Sequence, residues 1–192
     1  MHSKLSNVLS DINSVAVGDS TADLILKNCS LINVYTREIQ EKIQISIKND
    51  RIAFVGDDAS HTRGPKTKIL DVKNKFVCPG FVDPHIHIDH FLTPAEFVKK
   101  SLLCGVTSLF PDSIDIVSVC GYKGFKEFLR QTENLPMRFF HTIPGGLPVD
   151  RKFSHGKTLT LSEEREAINL KSIVGLGEVF SWVKVTKRDA KT

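Results

Sequence analysis

Apolar residues at the start of the chain fall at helical spacing. Leu5, Val8, Leu9 and Ile12 recur at intervals of three and four, which predicts a short amphipathic helix ended by Gly18 and Asp19. From Asp23 the period drops to two. Residues 23–34 read as a strand, Ile43-Gln44-Ile45-Ser46-Ile47 alternates cleanly, Lys48-Asn49-Asp50 turns, and residues 51–55 return as the second arm of a hairpin. A polar stretch with Gly64-Pro65 predicts a loop over 57–68, and residues 68–72 and 75–78 add two more strands. The period thus predicts a helical leader over 1–20 and a small antiparallel β unit over 21–78.

Beyond His90 strands and helices alternate. Thr93-Pro94-Ala95-Glu96 opens a helix with Thr as cap, Pro in the first turn and Glu96 reaching back as in a capping box. Phe97, Val98, Leu102 and Leu103 are its expected buried stripe, and Gly105 its end. A strand over 106–110 leads to Pro111-Asp112. A second helix over 121–132 places Tyr122, Phe125, Phe128 and Leu129 on one face, followed by a strand over 137–141 and an exit loop at Pro144-Gly145-Gly146. Residues 148–157 are loop-like, Thr160-Leu161-Ser162-Glu163 opens a third helix to about Lys171, and 173–178 is a fourth strand. Alternating elements of this kind imply a parallel sheet built by right-handed crossovers, an α/β architecture.

Composition adds only exclusions. The 192 residues are 41% hydrophobic and 25% charged, ordinary for a globular protein, with a net charge of +4. The basic residues are scattered, which fits a solvated surface better than a nucleic-acid footprint. No apolar run approaches the roughly 18–20 residues that span a bilayer, the first helix lacks a basic membrane-binding face, and no signal-peptide core opens the chain. Cys29, Cys78, Cys104 and Cys120 lack a Cys-x-x-Cys pair, so buried free thiols in a reducing compartment, the cytoplasm, are expected.

The candidate chemistry lies in Val77-Cys78-Pro79-Gly80-Phe81-Val82-Asp83-Pro84-His85-Ile86-His87-Ile88-Asp89-His90. A Pro-Gly turn feeding Phe81 and Val82 predicts a buried strand. Its period of two puts His85, His87 and Asp89 on one face and Ile86 and Ile88 on the other. Two imidazoles and a carboxylate on one face suit a divalent transition metal. The same pattern also fits two polar histidines at a strand end, satisfied by their neighbours. His90 has the opposite parity and is expected behind the ligands. His2, His61 and His155 lie in polar segments and are expected to face solvent.

Pro79-Gly80-Phe81-Val82-Asp83-x-His85-x-His87 resembles the metal-binding opening of the amidohydrolase superfamily. Asp23-Leu24-Ile25-Leu26-Lys27-Asn28, Leu92-Thr93-Pro94-Ala95-Glu96-Phe97 and Gly175-Leu176-Gly177-Glu178-Val179 are similar to stretches of its adenine deaminase family, in that family's order. The resemblance implies that 21–78 is part of a flanking β-sandwich and that 79–192 is the N-terminal part, about half, of a TIM-like (β/α) barrel. Barrel sites lie at the C-terminal strand ends. His85 and His87 end the first strand, and Asp112, His141 and Glu178 end or follow the next three.

The resemblance further implies metal ligation by His85, His87 and a bridging Glu178, with Glu178, Asp89 and Asp112 as catalytic carboxylates. The cofactor would be a divalent metal, binuclear, as Mn2+, Fe2+ or Zn2+, and adenine the small-molecule substrate, hydrolysed to hypoxanthine and ammonia. No nucleic acid or membrane partner is expected, and the complete enzyme would be a homo-oligomer. His141 has no counterpart in the family pattern. Two departures are visible: Asp89-His90-Phe91 stands where the family has Glu-Ser-Ser, and Ser113-Ile114-Asp115 where it has Pro-His-Glu. They keep open another cyclic amidohydrolase, of the dihydroorotase or hydantoinase kind. The family also needs later histidines and an aspartate, whereas residues 179–192 contain no histidine. The chain is therefore expected to be an N-terminal portion of a longer enzyme, inactive alone, or a truncated non-catalytic product.

Overall fold

A computed structural model describes residues 5–147, 156–179 and 182–187, which fall into two compact units, Met1–Pro79 and Gly80–Thr192. In the first, helix α1 (Leu5–Val17) is followed by strands β1 (Leu24–Asn33), β2 (Glu38–Lys48) and β3 (Arg51–Gly56). A short 3-10 turn, Ser60–Thr62, precedes β4 (Lys68–Asp71) and β5 (Phe76–Val77). The hairpin between β2 and β3 forms where the pattern requires it. Asn49 takes a left-handed φ of 51°, and its N–H donates to Asp23 Oδ2 at 2.8 Å while Lys48 Nζ donates to Asp23 Oδ1 at 3.0 Å.

The sheet order is β3-β2-β1-β4, with β5 also on β1. It is mixed, not antiparallel as expected, because β4 and β5 pair parallel with β1. The polar segment after β3 is not a tight turn. It carries the chain from one edge of the sheet to the other, which parallel pairing demands, and it buries Ala59 and Thr62 on the way. Val15 of α1 packs there with Ala22, Ile25 and Ala59. With no exposed surface, Val15 contributes about 1.5–3 kcal/mol by burial. A second cluster holds Cys29, Ile43 and Ile45. Only Cys29 of the four free cysteines is buried; Cys78, Cys104 and Cys120 are exposed, contrary to expectation.

The second unit contains β6 (Phe81–Ile86), α2 (Pro94–Leu103), β7 (Val106–Pro111), α3 (Ile114–Thr132) and β8 (Arg138–Phe139). It continues through β9 (His141–Gly145), α4 (Leu161–Ala167), β10 (Ile173–Val179) and α5 (Trp182–Thr186). All pairings are parallel: β6-β7-β8 in one sheet, β9-β10 in another, joined by a bridge between Asp112 and Thr142. Among the described residues the sheet stays open, so no closed barrel forms. Leu109, Val98, Ile88, Phe128 and Met137 fill one core, and Phe125, Val117, Ile143 and Ala167 another.

Several expectations change in this unit. β6 is paired on one side only, so Phe81 and Val82 are 59% and 54% exposed rather than buried. In α2, Thr93 Oγ1 accepts the Glu96 N–H, but the Glu96 carboxylate turns to Lys99, leaving half a capping box. Pro94, Val98 and Ser101 are its buried face, and Leu103 points away into solvent. Helix α3 starts at Ile114, seven residues before the expected Gly121, and kinks at Gly121, whose φ of 65° only glycine adopts without strain. Its first turn is rich in β-branched residues, which mimic a strand in sequence. The strand expected over 137–141 is split. Phe140 N–H still donates to Leu109 O at 2.9 Å, after which the chain leaves β7 to pair with β10. Thr160 and Glu163 complete the capping box of α4, which ends at Ala167 rather than near Lys171. The loop expected at 148–157 lies largely outside the described residues, as do His2 and His155. No helix among the described residues is long and apolar enough to cross a membrane.

Candidate metal centre

Strand β6 ends at Ile86, and the chain turns there so that both histidines face the end of β10. His85 Nε2 lies 3.2 Å from His87 Nε2. Glu178 Oε1 lies 3.5 Å from His85 Nε2, and its Oε2 lies 3.4 Å from His87 Nε2. Among the described residues this is the one His/Cys/Asp/Glu group whose donor atoms all lie within 4.8 Å of one another. Nitrogen and oxygen donors about 2.0–2.1 Å from a tetrahedral metal stand about 3.3–3.4 Å apart, so the observed spacings fit one. The donor set of two imidazoles and a carboxylate suits Zn2+, Mn2+ or Fe2+.

The tautomer of His87 follows from its neighbour. Nδ1 lies 2.7 Å from the backbone oxygen of Asp112, and a carbonyl only accepts, so Nδ1 carries the proton. The lone pair is then on Nε2, facing His85 and Glu178, the arrangement a metal ligand needs. Asp112 has no exposed surface. Its Oδ2 accepts the Glu178 N–H at 2.6 Å. Burial raises its carboxyl above the usual range, an effect the Glu178 hydrogen bond opposes.

Asp89 does not share the histidine face. The alternation that would have placed it there stops with the strand at Ile86. Its Oδ2 instead accepts the Ile116 N–H at 2.9 Å, satisfying one of the donors left open at the start of α3, where Ser113 makes no side-chain cap. Asp89 Oδ1 is buried without a hydrogen-bond partner, and burial raises its pKa. His90 lies beyond the strand, outside the group of donor atoms formed by His85, His87 and Glu178. Its ring stacks on His87 with centroids 5.3 Å apart, and its Nε2 lies 2.5 Å from Asp115 Oδ2. Asp89, His90, Phe91, Asp115, Ile116 and Val119 line a cavity of about 430 Å³.

His141 is not at the C-terminal end of a strand. It opens β9, fully buried, stacked on Phe139 with centroids 5.6 Å apart. Thr132 Oγ1 donates to Leu129 O and accepts from His141 Nε2 at 2.9 Å. Burial pushes the imidazole down to about 4. The strand-end group expected there is therefore absent from the site. Sequence reasoning missed Asp115 as the partner of His90, and Gly177, where a Cβ would fall 2.1 Å from Asp112 Oδ2. The Gly-Leu-Gly run was visible; the reason for its second glycine was not.

Residues 76–184 match the model of the amidohydrolase family. The chain belongs to that family. This amidohydrolase is 54% identical over 178 residues to an adenine deaminase of Cenarchaeum symbiosum (strain A), a match covering 93% of the chain and 29% of that protein. Adenine deaminase 3 of Rhizobium meliloti (strain 1021) is 35% identical over 188 residues, 97% of the chain and 32% of that protein. The chain thus spans about 30% of the length of the curated relatives it matches. Among solved structures, an adenine deaminase is similar with a TM-score of 0.58 at 20% identity, over 88% of this chain and 46% of the other. A β-aspartyl dipeptidase from Fervidobacterium islandicum AW-1 gives 0.56 at 19% identity, over 81% and 40%. These two likenesses concern the fold alone.

Proposed function

We propose that this chain contributes strand ends of a metal site to an enzyme that hydrolyses adenine to hypoxanthine and ammonia. The observation that carries the reading is the meeting of His85, His87 and Glu178 from two strands that do not pair with each other. The sequence similarity to adenine deaminases supports the substrate. In this reading Gly80–Thr192 is the opening part, about half, of a (β/α) barrel, with its site at the C-terminal strand ends.

His85 and His87 through Nε2, and Glu178 with one oxygen toward each imidazole, would hold a divalent cation. A cation held there would supply acidification of water, the source of the hydroxide that hydrolysis needs near neutral pH. The ring nitrogen and the departing ammonia must gain protons from a group within hydrogen-bond reach. Glu178, which faces both imidazoles, is the carboxylate this chain offers for that task, with Asp89, beside His90, as a second. A second cation needs donors beyond these, and the described residues hold no other such group.

The Asp89-His90-Phe91 and Ser113-Ile114-Asp115 departures favour a second reading, in which a different cyclic amide or amine is hydrolysed. A longer form containing these residues, loaded with manganese, iron or zinc, should convert adenine to hypoxanthine with equal release of ammonia. Residues 1–192 alone should not. Turnover of a dihydropyrimidine or hydantoin without turnover of adenine would select the second reading. Turnover by the 192 residues comparable to the longer form would overturn the ligand assignment.

A further inference from the structure

We propose that Asp112 is a positioning residue which, with Gly177 as its required neighbour, sets the spacing between His87 and Glu178. The inference rests on the reading of His85, His87 and Glu178 as metal-binding. Asp112 makes three bonds that converge on the two strands carrying those residues. Its N–H donates to Ile86 O at 2.9 Å, fixing the backbone just before His87. Its carbonyl accepts from His87 Nδ1 at 2.7 Å, fixing the ring and its tautomer. Its Oδ2 accepts the Glu178 N–H at 2.6 Å, fixing the backbone that carries the carboxylate ligand. One residue at the end of β7 therefore holds the ends of both β6 and β10.

Asp112 has no exposed surface, so its carboxylate does not reach a substrate. Its grip on β10 demands that the strand come close. A Cβ built on Gly177 would lie 2.1 Å from Oδ2, 2.5 Å from Cγ and 2.8 Å from Oδ1. Carbon atoms rest about 3.5–4.0 Å apart at contact, so alanine must displace the carboxylate, the strand or both. Gly175, two residues earlier in the same run, has nothing within 4 Å of such a Cβ. The two glycines look alike in sequence, yet only Gly177 has a neighbour that excludes a side chain.

The test is zinc titration of the full chain as wild type, Gly177→Ala, Gly175→Ala, Asp112→Ala and Asp112→Asn. Groups that orient metal ligands typically change affinity about 10–100-fold. Gly177→Ala and Asp112→Ala should weaken zinc binding by that much, and Gly175→Ala should bind as wild type. Asp112→Asn should recover most of the loss, since its amide oxygen still accepts the Glu178 N–H. A group needed for its charge would not be rescued this way. Nitrogen-15 NMR of the metal-free chain gives an independent readout: the Glu178 amide should be strongly downfield and His87 should carry its proton on Nδ1, the amide shift being lost in Asp112→Ala. Zinc binding by Gly177→Ala equal to that of Gly175→Ala would overturn the proposal. Absence of zinc binding by the wild type would overturn the metal reading instead. In that case an unchanged Glu178 amide in Asp112→Ala would refute the positioning role on its own.

Discussion

His87 and His141 belong to the same α/β unit, at the edges of its two parallel sheets, and meet opposite fates. His87 leaves the end of β6 with Nδ1 bound to a carbonyl and Nε2 directed at another histidine and a carboxylate. His141 begins β9, fully buried, and sits against Phe139 and Phe128 with a hydroxyl as its hydrogen-bond partner. Its Nδ1 is buried with no partner. The difference teaches that position along the strand decides what a histidine can do here. At the C-terminal end the backbone turns and side chains converge; at the N-terminal end the same imidazole is packing material, held neutral because nothing compensates a buried charge.

The largest expected effect is at the strand end. A His85→Ala, His87→Ala double variant should lose the bound metal and, in a longer active form, all activity. Unchanged metal content by elemental analysis would erase the distinction between the two sites. Next comes the acid response of His141. Its imidazole is pushed down to about 4 from 6.5, so the unfolded chain binds its proton first as pH falls. The stability that neutral burial provides is complete above about pH 6.5 and lost progressively down to about pH 4, a swing of about 3 kcal/mol. Urea midpoints at pH 7.5 and pH 5 should differ in the wild type and converge in His141→Phe. Equal pH dependence in both would show that His141 is not the group responsible. The smallest effect is expected for Thr132→Val, which strands the His141 Nε2–H. It should cost about 1–3 kcal/mol in denaturation and leave zinc affinity unchanged; a change in zinc affinity would link the buried histidine to the metal centre.

Much of this was legible in the sequence, and the failures share a cause. α1, the β2–β3 hairpin and the parallel direction of the strands in the second unit followed from period and turn residues, which are local. The site pair His85 and His87 came from strand period, and Glu178 from resemblance. What escaped depends on partners distant in the chain. β4 was assigned the wrong direction because a loop of suitable polarity can either turn or cross. Asp89 was placed with the ligands because nothing in its own segment announces that the start of α3 needs an acceptor. The β-branched first turn of α3 hid that helix, and with it the reason for Asp89. Gly177 was seen as part of a motif, but only the approach of Asp112, far earlier in sequence, explains why no side chain is tolerated there.

The central claim is that two imidazoles and one carboxylate hold the metal. X-ray absorption at the zinc edge of the loaded chain tests it directly, because the exposed Cys78, Cys104 and Cys120 are the obvious competitors. The account predicts nitrogen and oxygen neighbours at about 2.0–2.1 Å with the outer-shell scattering of two imidazole rings, and one ring fewer in His85→Ala. Sulfur scatterers at about 2.3 Å, or no imidazole signal in the wild type, would contradict it.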